Sequence, residues 1–191
     1  MSPGEERELS PPEGRPLRLC LDLNVFAADL LARQKRHEGT AVRLLVESVA
    51  QTTTPLGRLQ LIISVGMMNR LRAVLEERLG VTAATVETYI GALSQYARYG
   101  PGGQSPLLVL GGTGVLPVPD REDAHVLETA IAGRADLLAT ADMTHFDFSD
   151  TVVLEEDRVL RYRRADHDIV IAHPFRAARW IREGRIMLPK P

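Results

Sequence analysis

The sequence is poor in cysteine and lysine. Its one cysteine, Cys20, lies in an apolar run, which favours a small buried hydrophobic residue over a redox role. Lys35 and Lys190 are the only lysines, and genome composition is the favoured explanation of the resulting arginine bias. His167 and His173 have no cysteine or histidine at zinc-site spacing, which excludes a zinc site of that kind. The net charge of −2 lacks the basic excess typical of nucleic-acid-binding proteins, although a local basic patch can exist within it.

Long hydrophobic segments are also missing. No apolar stretch approaches the roughly 20 residues that a membrane-spanning helix needs, which excludes such a helix. Glu5, Glu6 and Glu8 occupy the region where a secretory signal would carry its hydrophobic core. Together with the single cysteine, these absences predict a cytoplasmic protein that does not contact a membrane.

Composition and periodicity predict a short leader and one domain. Residues 1–16 are rich in Pro, Glu and Gly and lack apolar periodicity, which predicts a disordered leader. Residues 17–188 are expected to form a single domain with a full core. Apolar runs predict strands at LRLCLD, LQLIIS, DLLATAD and TVVLEE, with helices between them and a terminal helix at HPFRAARWIREG. This alternation predicts an α/β fold, a three-layer α/β/α arrangement with a central, mostly parallel sheet.

Three acidic residues occupy informative positions in this pattern. Asp22 ends the first strand, Asp142 ends the strand LLATAD, and Asp123 lies in the first turn of the helix before that strand. If the two strands are neighbours, the three carboxylates converge at the carboxyl edge of the sheet, where ligands collect. Such a cluster needs a cation, and Mg²⁺ or Mn²⁺ suits hard oxygen ligands. Taken singly, Asp123 could instead favour the helix dipole and Asp142 could be a turn residue.

Two segments resemble one known family. LDLNVF resembles the opening D-x-N-V-[LF] of PIN-domain nucleases, and PDREDAHVLETAIAGRADLLATADMTHF is similar to their closing segment. The segment LIIS followed by a helix matches the family's second strand and third helix. The resemblance implies the PIN fold and metal-dependent hydrolysis of RNA phosphodiester bonds with Mg²⁺ or Mn²⁺ as cofactor.

The resemblance also implies roles for particular residues. Asp22, Asp123 and Asp142 correspond to the catalytic, metal-binding acids. Three further residues correspond to supporting positions of the family. They are the polar residue beside the first acid, the serine that begins the helix after the second strand and the hydroxyl that supports the site: Asn24, Ser64 and Thr140. Ser64 is also predicted on local grounds to cap the following helix. An antitoxin protein and a second copy of the chain are further partners that the family suggests.

One departure from the family pattern concerns the metal site. After the serine, the family commonly carries S-x-x-x-x-x-E-L, whereas this chain has SVGMMNRL, with Arg70 at the position of the glutamate. A guanidinium group has donors only and cannot ligate a metal. Asn69 could supply an oxygen if the helix is shifted, whereas Glu76 lies roughly 9 Å further along a helix.

The sequence therefore leaves three hypotheses. The first is a metal-dependent endoribonuclease, of which the toxin of a toxin–antitoxin pair is a narrower form. The second is a catalytically impaired PIN-fold binding or regulatory module, motivated by Arg70. The third and least favoured hypothesis is a phosphatase with Asp22 as nucleophile, because D-x-N-x-F distantly resembles the haloacid-dehalogenase motif. That chemistry requires a second acid, however, and this chain has Asn24 at its position.

Arginines also cluster near the end of the sequence. Two groups could hold an RNA backbone, although solvated charge is the favoured interpretation: Arg158, Arg161, Arg163 and Arg164, and then Arg176, Arg179 and Arg182. Trp180 is expected to anchor the last helix to the core rather than stack on a base.

Overall fold

A computed structural model describes residues 7–9, 14–102, 107–108, 121–147, 149–164 and 166–189; for residues 7, 107–108 and 121–124 it describes the backbone alone. The helices of these ranges are α1 (Leu23–Gln34), α2 (Ala41–Gln51), α3 (Val65–Ala73), α4 (Ala83–Arg98), α5 (Arg121–Ala132) and α6 (Pro174–Glu183). A π-helical turn, Val74–Arg78, continues α3, and a 3₁₀ turn, Thr144–Phe146, precedes the last part of the sheet. None of the described helices is both long and apolar enough to cross a bilayer.

The strands form one large mixed sheet and one small ribbon. They are β1 (Arg7–Leu9), β2 (Leu17–Leu21), β3 (Thr53–Thr54), β4 (Gly57–Ser64), β5 (Leu107–Leu108), β6 (Leu137–Ala139), β7 (Thr151–Glu155), β8 (Val159–Arg164), β9 (His167–Ala172) and β10 (Ile186–Leu188). The sheet order is β3-β4-β2-β6-β9-β8-β7, and β5 also pairs with β4. Strands β5, β4, β2, β6 and β9 run parallel, whereas β3, β8 and β7 are antiparallel to their neighbours. The mostly parallel sheet predicted from the sequence is confirmed.

Both faces of the sheet are buried. Cys20 and Ile62 are register partners on β2 and β4, and they point towards α5, where Cys20 Sγ lies 4.0 Å from the carbonyl oxygen of Val126. Because side chains alternate along a strand, Leu21 and Leu61 point to the opposite face, and both are fully buried. Helices therefore cover the sheet on two sides, which confirms the three-layer α/β/α architecture.

One glycine allows α5 to end close against the sheet. Gly133 follows the last residue of α5 and lies directly over Ile62. A Cβ atom here would overlap Cγ2 of Ile62 and would lie 3.1 Å from the carbonyl oxygen of Thr129. Any larger residue would push α5 away from β4, and α5 is the helix whose first turn includes Asp123.

Part of the predicted leader has regular structure. Arg7–Leu9 form β1, which pairs antiparallel with β10, so their backbone groups gain partners that a disordered leader would lack. Leu9 also packs against the core. Closer to β2, the guanidinium of Arg15 binds both carboxylate oxygens of Asp136 at 2.8 and 2.7 Å. Residues 1–6 and 10–13 lie outside the described residues.

The last third of the chain adds strands that the sequence pattern did not reveal. The segment TVVLE forms β7 and PFRAARWIRE forms α6, as predicted. Trp180 is buried, as expected of an anchor for this helix. The arginine-rich segment 159–164, however, is β8, and it pairs antiparallel with β9. Arg161 of β8 forms a bidentate ion pair with Asp168 of β9 at 2.8 and 2.7 Å, which adds a side-chain contact to the backbone pairing of the two strands.

Candidate active site

The carboxyl ends of three adjacent parallel strands form the edge that carries most of the predicted site. In the pairing of β4, β2 and β6, Cys20 lies opposite both Ile62 and Leu138. Two residues further on, the three strands therefore reach the same level with Asp22, Ser64 and Thr140. This is the edge at which ligands bind in open α/β sheets. The register therefore brings Asp22, Ser64 and Thr140 to one edge, and the predicted convergence of the Asp22, Asp123 and Asp142 carboxylates stays a prediction.

Asp22 joins a buried strand to a helix. Its backbone is extended (φ −69°, ψ 159°), and its carboxylate accepts a hydrogen bond from the backbone N–H of Leu23, so it is the N-cap of α1. Aspartate is among the preferred capping residues because its short side chain satisfies an amide that the helix leaves without a partner. Only 4% of Asp22 is exposed. The carboxylate is therefore held rigidly at the end of β2.

Two further side chains hold the other carboxylate oxygen of Asp22. Oδ2 accepts the hydroxyl of Thr140 at 2.6 Å and the side-chain amide of Asn24 at 2.8 Å. Asn24 is itself fixed, because its Oδ1 accepts the backbone N–H of Ala141 at 3.3 Å. The sequence assigned Asn24 and Thr140 to supporting positions, and both directly contact Asp22.

Asp142 belongs to the same hydrogen-bonded group. Its backbone N–H donates to the hydroxyl oxygen of Thr140 at 3.0 Å, so one threonine contacts both acidic residues. Its carboxylate accepts the hydroxyl of Thr144 at 2.9 Å, and the other oxygen lies 3.2 Å from Nδ1 of His145. The side chain of Asp142 is 43% exposed, in contrast to buried Asp22. The pair thus combines a fixed acid with one that solvent can reach.

The electrostatics of this pair favour a cation. Burial raises the pKa of the Asp22 carboxyl group above its usual value, and the negative charge of Asp142 raises it further. The hydrogen bonds from Thr140, Leu23 and Asn24 act in the opposite direction without cancelling the effect of burial. A positive ion beside the two carboxylates would remove their mutual repulsion. Hard carboxylate oxygens are the ligands that Mg²⁺ and Mn²⁺ prefer, so these residues fit such an ion.

The third predicted acid is only partly described. Asp123 lies in the first turn of α5, as predicted, but its side chain lies outside the described residues. Among the side chains that the structure describes, no three His, Cys, Asp or Glu residues group as a metal site. Asp22 and Asp142 therefore stand together, and the position of the Asp123 carboxylate relative to them stays a prediction.

Ser64 links the two helices beside the site. Its hydroxyl oxygen accepts the backbone N–H of Met67 at 3.1 Å, so Ser64 caps α3 as the sequence predicted. The same oxygen accepts the hydroxyl of Thr129, on α5, at 3.1 Å. Ser64 is buried and acts through packing rather than as an exposed site residue. It fixes the start of α3 against α5, the helix that carries Asp123.

Arg70, the residue at the glutamate position of the family pattern, lies in α3 and is partly buried. It follows the cap at Ser64 by six residues, about 9 Å along a helix. Arg70 therefore lies in the helix where the family pattern places its glutamate. Its guanidinium group carries a positive charge there and offers no oxygen that could ligate a metal.

Sequence reasoning missed two residues that contact the site. Thr144 donates to Asp142, and its spacing two residues after an acid could have indicated this turn contact. Thr129 donates to Ser64 across the interface between α5 and α3, and no local pattern signals that pairing, because it depends on packing between distant segments.

Comparison with known proteins agrees with this architecture. A sequence model of the PIN domain matches residues 18–144, a range that includes Asp22, Ser64, Asp123 and Asp142. No curated protein and no solved structure gives a significant match to the chain. The PIN family consists generally of nucleases. The matched range covers most of the chain and includes the residues of the sheet edge just described. The chain therefore belongs to the PIN-domain family.

Proposed function

We propose that this protein is a metal-dependent endoribonuclease that hydrolyses RNA phosphodiester bonds. PIN domains usually use divalent metal ions and typically bind RNA. One observation supports the proposal most strongly: buried Asp22 and accessible Asp142 share Thr140 as a hydrogen-bonding partner at the carboxyl edge of the sheet. A carboxylate that is buried, hydrogen-bonded and close to a second negative charge is typical of a functional site.

In this proposal, Asp22 and Asp142 hold Mg²⁺ or Mn²⁺ together with Asp123. A bound ion of this kind supplies Lewis acidity, activating a water molecule and neutralising charge on the phosphate. Asn24 and Thr140 keep the Asp22 carboxylate in one orientation, since both donate to Oδ2. The backbone cap from Leu23 fixes its other oxygen. This arrangement leaves the carboxylate little freedom, which lowers the cost of organising it around an ion.

A cleavage assay tests the proposal. Mixed RNAs are incubated with the wild-type protein and with Asp22→Asn in Mg²⁺, in Mn²⁺ and in chelator. Asparagine can still cap α1, so the substitution removes the charge with little change in the helix start. Asp166→Asn is the matched control, because Asp166 is exposed just before β9, at the opposite end of that strand from the site edge. Cleavage that needs metal, is lost in Asp22→Asn and persists in Asp166→Asn supports the proposal; equal cleavage by Asp22→Asn contradicts it.

A narrower proposal is that the nuclease is the toxin of a toxin–antitoxin pair, with an antitoxin and a second copy of the chain as partners. It rests on the family resemblance alone. Induction of the wild-type gene would arrest growth, and the Asp22→Asn gene would not. Sedimentation of the purified protein measures whether two copies associate. Unimpaired growth during wild-type expression would count against a toxin.

Arg70 favours a second candidate function, a PIN-fold module that binds without cutting. A guanidinium at the usual position of a glutamate would weaken metal binding by charge. Titration of Mn²⁺ into the wild type and Arg70→Glu separates the two functions. Substantially tighter binding by Arg70→Glu, with no cleavage by the wild type, supports the binding module. Tight binding by the wild type argues for the nuclease.

A further inference from the structure

A pocket lies in the part of the chain that follows the matched PIN-domain range. Its volume is about 290 Å³, and its described lining consists of Glu155, Arg158, Phe175, Arg176 and Arg179. We call it the arginine pocket. Its residues come from the end of β7, from the turn before β8 and from α6. The match to the PIN domain ends at residue 144, so none of these residues belongs to the matched range.

The arginine pocket lies along the same edge of the sheet as the acidic residues. Ala139 of β6 is the register partner of Ala172 of β9, and the N–H of Thr140 donates to the carbonyl of Ala172 at 3.1 Å. His173 comes next in the chain, and its N–H donates to the carbonyl of Arg158 at 2.9 Å. Adjacent strands lie about 4.8 Å apart. The turn with Arg158 and the start of α6 are therefore only a strand or two away from Thr140.

An exposed aromatic side chain stands at the rim of this pocket. Phe175, in the first turn of α6, is 64% exposed. Its ring stacks against the imidazole of His173, with centroids 5.1 Å apart and planes inclined by 29°. The imidazole also caps α6 by accepting the N–H of Phe175 at 3.3 Å. The ring is thus held at the surface by a local contact, with much of its area open to solvent, and it offers an unused stacking surface.

The pocket combines this ring with an excess of positive charge. Its described lining contains three guanidinium groups and one carboxylate, that of Glu155, which forms an ion pair with Arg176. Arg179 also forms an ion pair, with Glu183 one turn further along α6 at 2.7 Å, so a bound phosphate would share or replace these carboxylate partners. Nη1 of Arg158 lies 3.4 Å from Nδ1 of His173. Burial and the nearby Arg158 charge lower the pKa of His173, so the imidazole stays neutral and keeps its acceptor. The local excess contrasts with the net charge of −2 for the whole chain.

We propose that the arginine pocket binds one nucleotide of a single-stranded RNA, with its base stacked on Phe175 and its phosphate on the guanidinium groups of Arg158, Arg176 and Arg179. The proposal rests on the nuclease function proposed above and adds the place where the strand is held beside the acids. Proteins that bind single strands combine positive grooves with aromatic side chains in this way. Guanidinium groups are well suited to phosphate, because their planar donors match its oxygens.

Binding measured without cleavage tests this proposal. A 5′-labelled single-stranded RNA is titrated with protein in chelator, and fluorescence anisotropy gives the Kd at several salt concentrations. Loss of a stacked base weakens binding by about 5- to 150-fold, so Phe175→Ala should show a change of this order. Phe175→Tyr keeps the ring and should retain affinity. Arg158→Gln should reduce the salt slope by about 0.7, the value for one phosphate contact on a single strand.

Arg98→Gln is the matched control, because it removes one exposed arginine from α4. It should leave both the Kd and the salt slope unchanged. Equal affinity of Phe175→Ala and the wild type overturns the proposal, as does absence of RNA binding by the wild type. A larger effect of Arg98→Gln than of Arg158→Gln also overturns it, because binding would then be governed by charge elsewhere.

A parallel cleavage assay in Mn²⁺ distinguishes failure of this proposal from failure of the nuclease function. If the wild type cleaves RNA while Phe175→Ala binds with unchanged affinity, the arginine pocket is wrong and the nuclease stands. If Phe175→Ala loses affinity while the wild type never cleaves, the pocket stands and the nuclease function is wrong.

Discussion

The hydroxyl of Thr140 donates to the buried carboxylate of Asp22 at 2.6 Å, although 118 positions separate the two residues in sequence. The same hydroxyl oxygen accepts the backbone N–H of Asp142. Thr140 thereby ties the end of β2 to the loop after β6 and uses both its donor and its acceptor capacity. Any change in this one side chain acts on both described acids of the candidate site.

Thr140→Val should lower both the activity and the stability of the protein. It keeps the shape of the side chain but removes the donor to Asp22 and the acceptor for Asp142. Loss of a residue that orients a metal-binding group typically reduces activity or metal affinity by about 10- to 100-fold. The buried groups left without partners should also cost about 1–3 kcal/mol of unfolding free energy. RNA cleavage in Mn²⁺ and urea unfolding measure the two effects, with Thr140→Ser as the variant expected to preserve both. Equal impairment of the serine variant would contradict a role of the hydroxyl.

Tyr89→Phe should destabilise the protein. Asp29 is fully buried in α1, and Tyr89 donates its hydroxyl to Oδ2 at 2.7 Å while Arg33 pairs with the same oxygen at 2.8 Å. Burial raises the pKa of Asp29, and removing a donor should raise it further. We expect a loss of about 1–3 kcal/mol in unfolding free energy, the usual cost of a buried group that loses its partner. Tyr99→Phe is the control, because Tyr99 is 75% exposed. Matching losses in both variants would refute the contribution of the Asp29 contact.

Gly133→Ala and Gly91→Ala should change stability in opposite directions. A methyl group at position 133 would overlap Ile62, so we expect a loss of about 1–3 kcal/mol as α5 shifts from β4. Gly91 is exposed in α4, and no atom lies within 4 Å of a Cβ placed there. Alanine at that position should stabilise the helix by roughly 0.5–1 kcal/mol. Thermal or urea unfolding of the two variants checks the pair, and destabilisation by Gly91→Ala would contradict it.

His173 should make stability depend on pH below neutrality. Burial and Arg158 lower its folded-state pKa below the usual value of about 6.5. As pH falls from that value, the unfolded chain takes up a proton before the folded protein does, so His173 costs stability through this window. Protonation of Nδ1 would also remove the cap on the N–H of Phe175. Urea midpoints at pH 7.5 and pH 5 measure the effect. His173→Asn retains a capping side chain without titrating, so its midpoint should fall less; an equal fall would be inconsistent with the lowered pKa.

The strands that lead to the acidic edge could be predicted because their signals are local, although β6 ends at Ala139 and Asp142, predicted to end that strand, follows it in the loop. The apolar run before Asp22 and the run before Thr140 are buried strands, and parallel strands must bring their carboxyl ends together. The cap at Ser64 follows from one residue type in front of a helical pattern. The family pattern added the supporting roles of Asn24 and Thr140, and both contact Asp22.

The later strands could not be predicted in the same way. In β8, buried Val159, Leu160 and Tyr162 are interspersed with arginines. From the sequence alone, those arginines were interpreted as a solvated cluster rather than as part of a strand. The partners that pair with these residues, such as Asp168 with Arg161, lie on β9 and meet them only after the two strands have paired. The sequence did single out Arg158, Arg176 and Arg179 of the arginine pocket, but it could not bring them together with Glu155 and Phe175, because three separate elements supply the lining.

The order of the strands also has a consequence for synthesis on the ribosome. Strand β2 occupies the middle of the sheet, yet one of its two neighbours, β6, is translated more than a hundred residues later. A nascent chain that has not yet released residues 137–142 can contain Asp22 but cannot give it Thr140 or Asp142. The acidic edge can therefore be completed only after residues 137–142 have left the ribosome, so its two described acids come together by a late, long-range step of folding rather than by a local one.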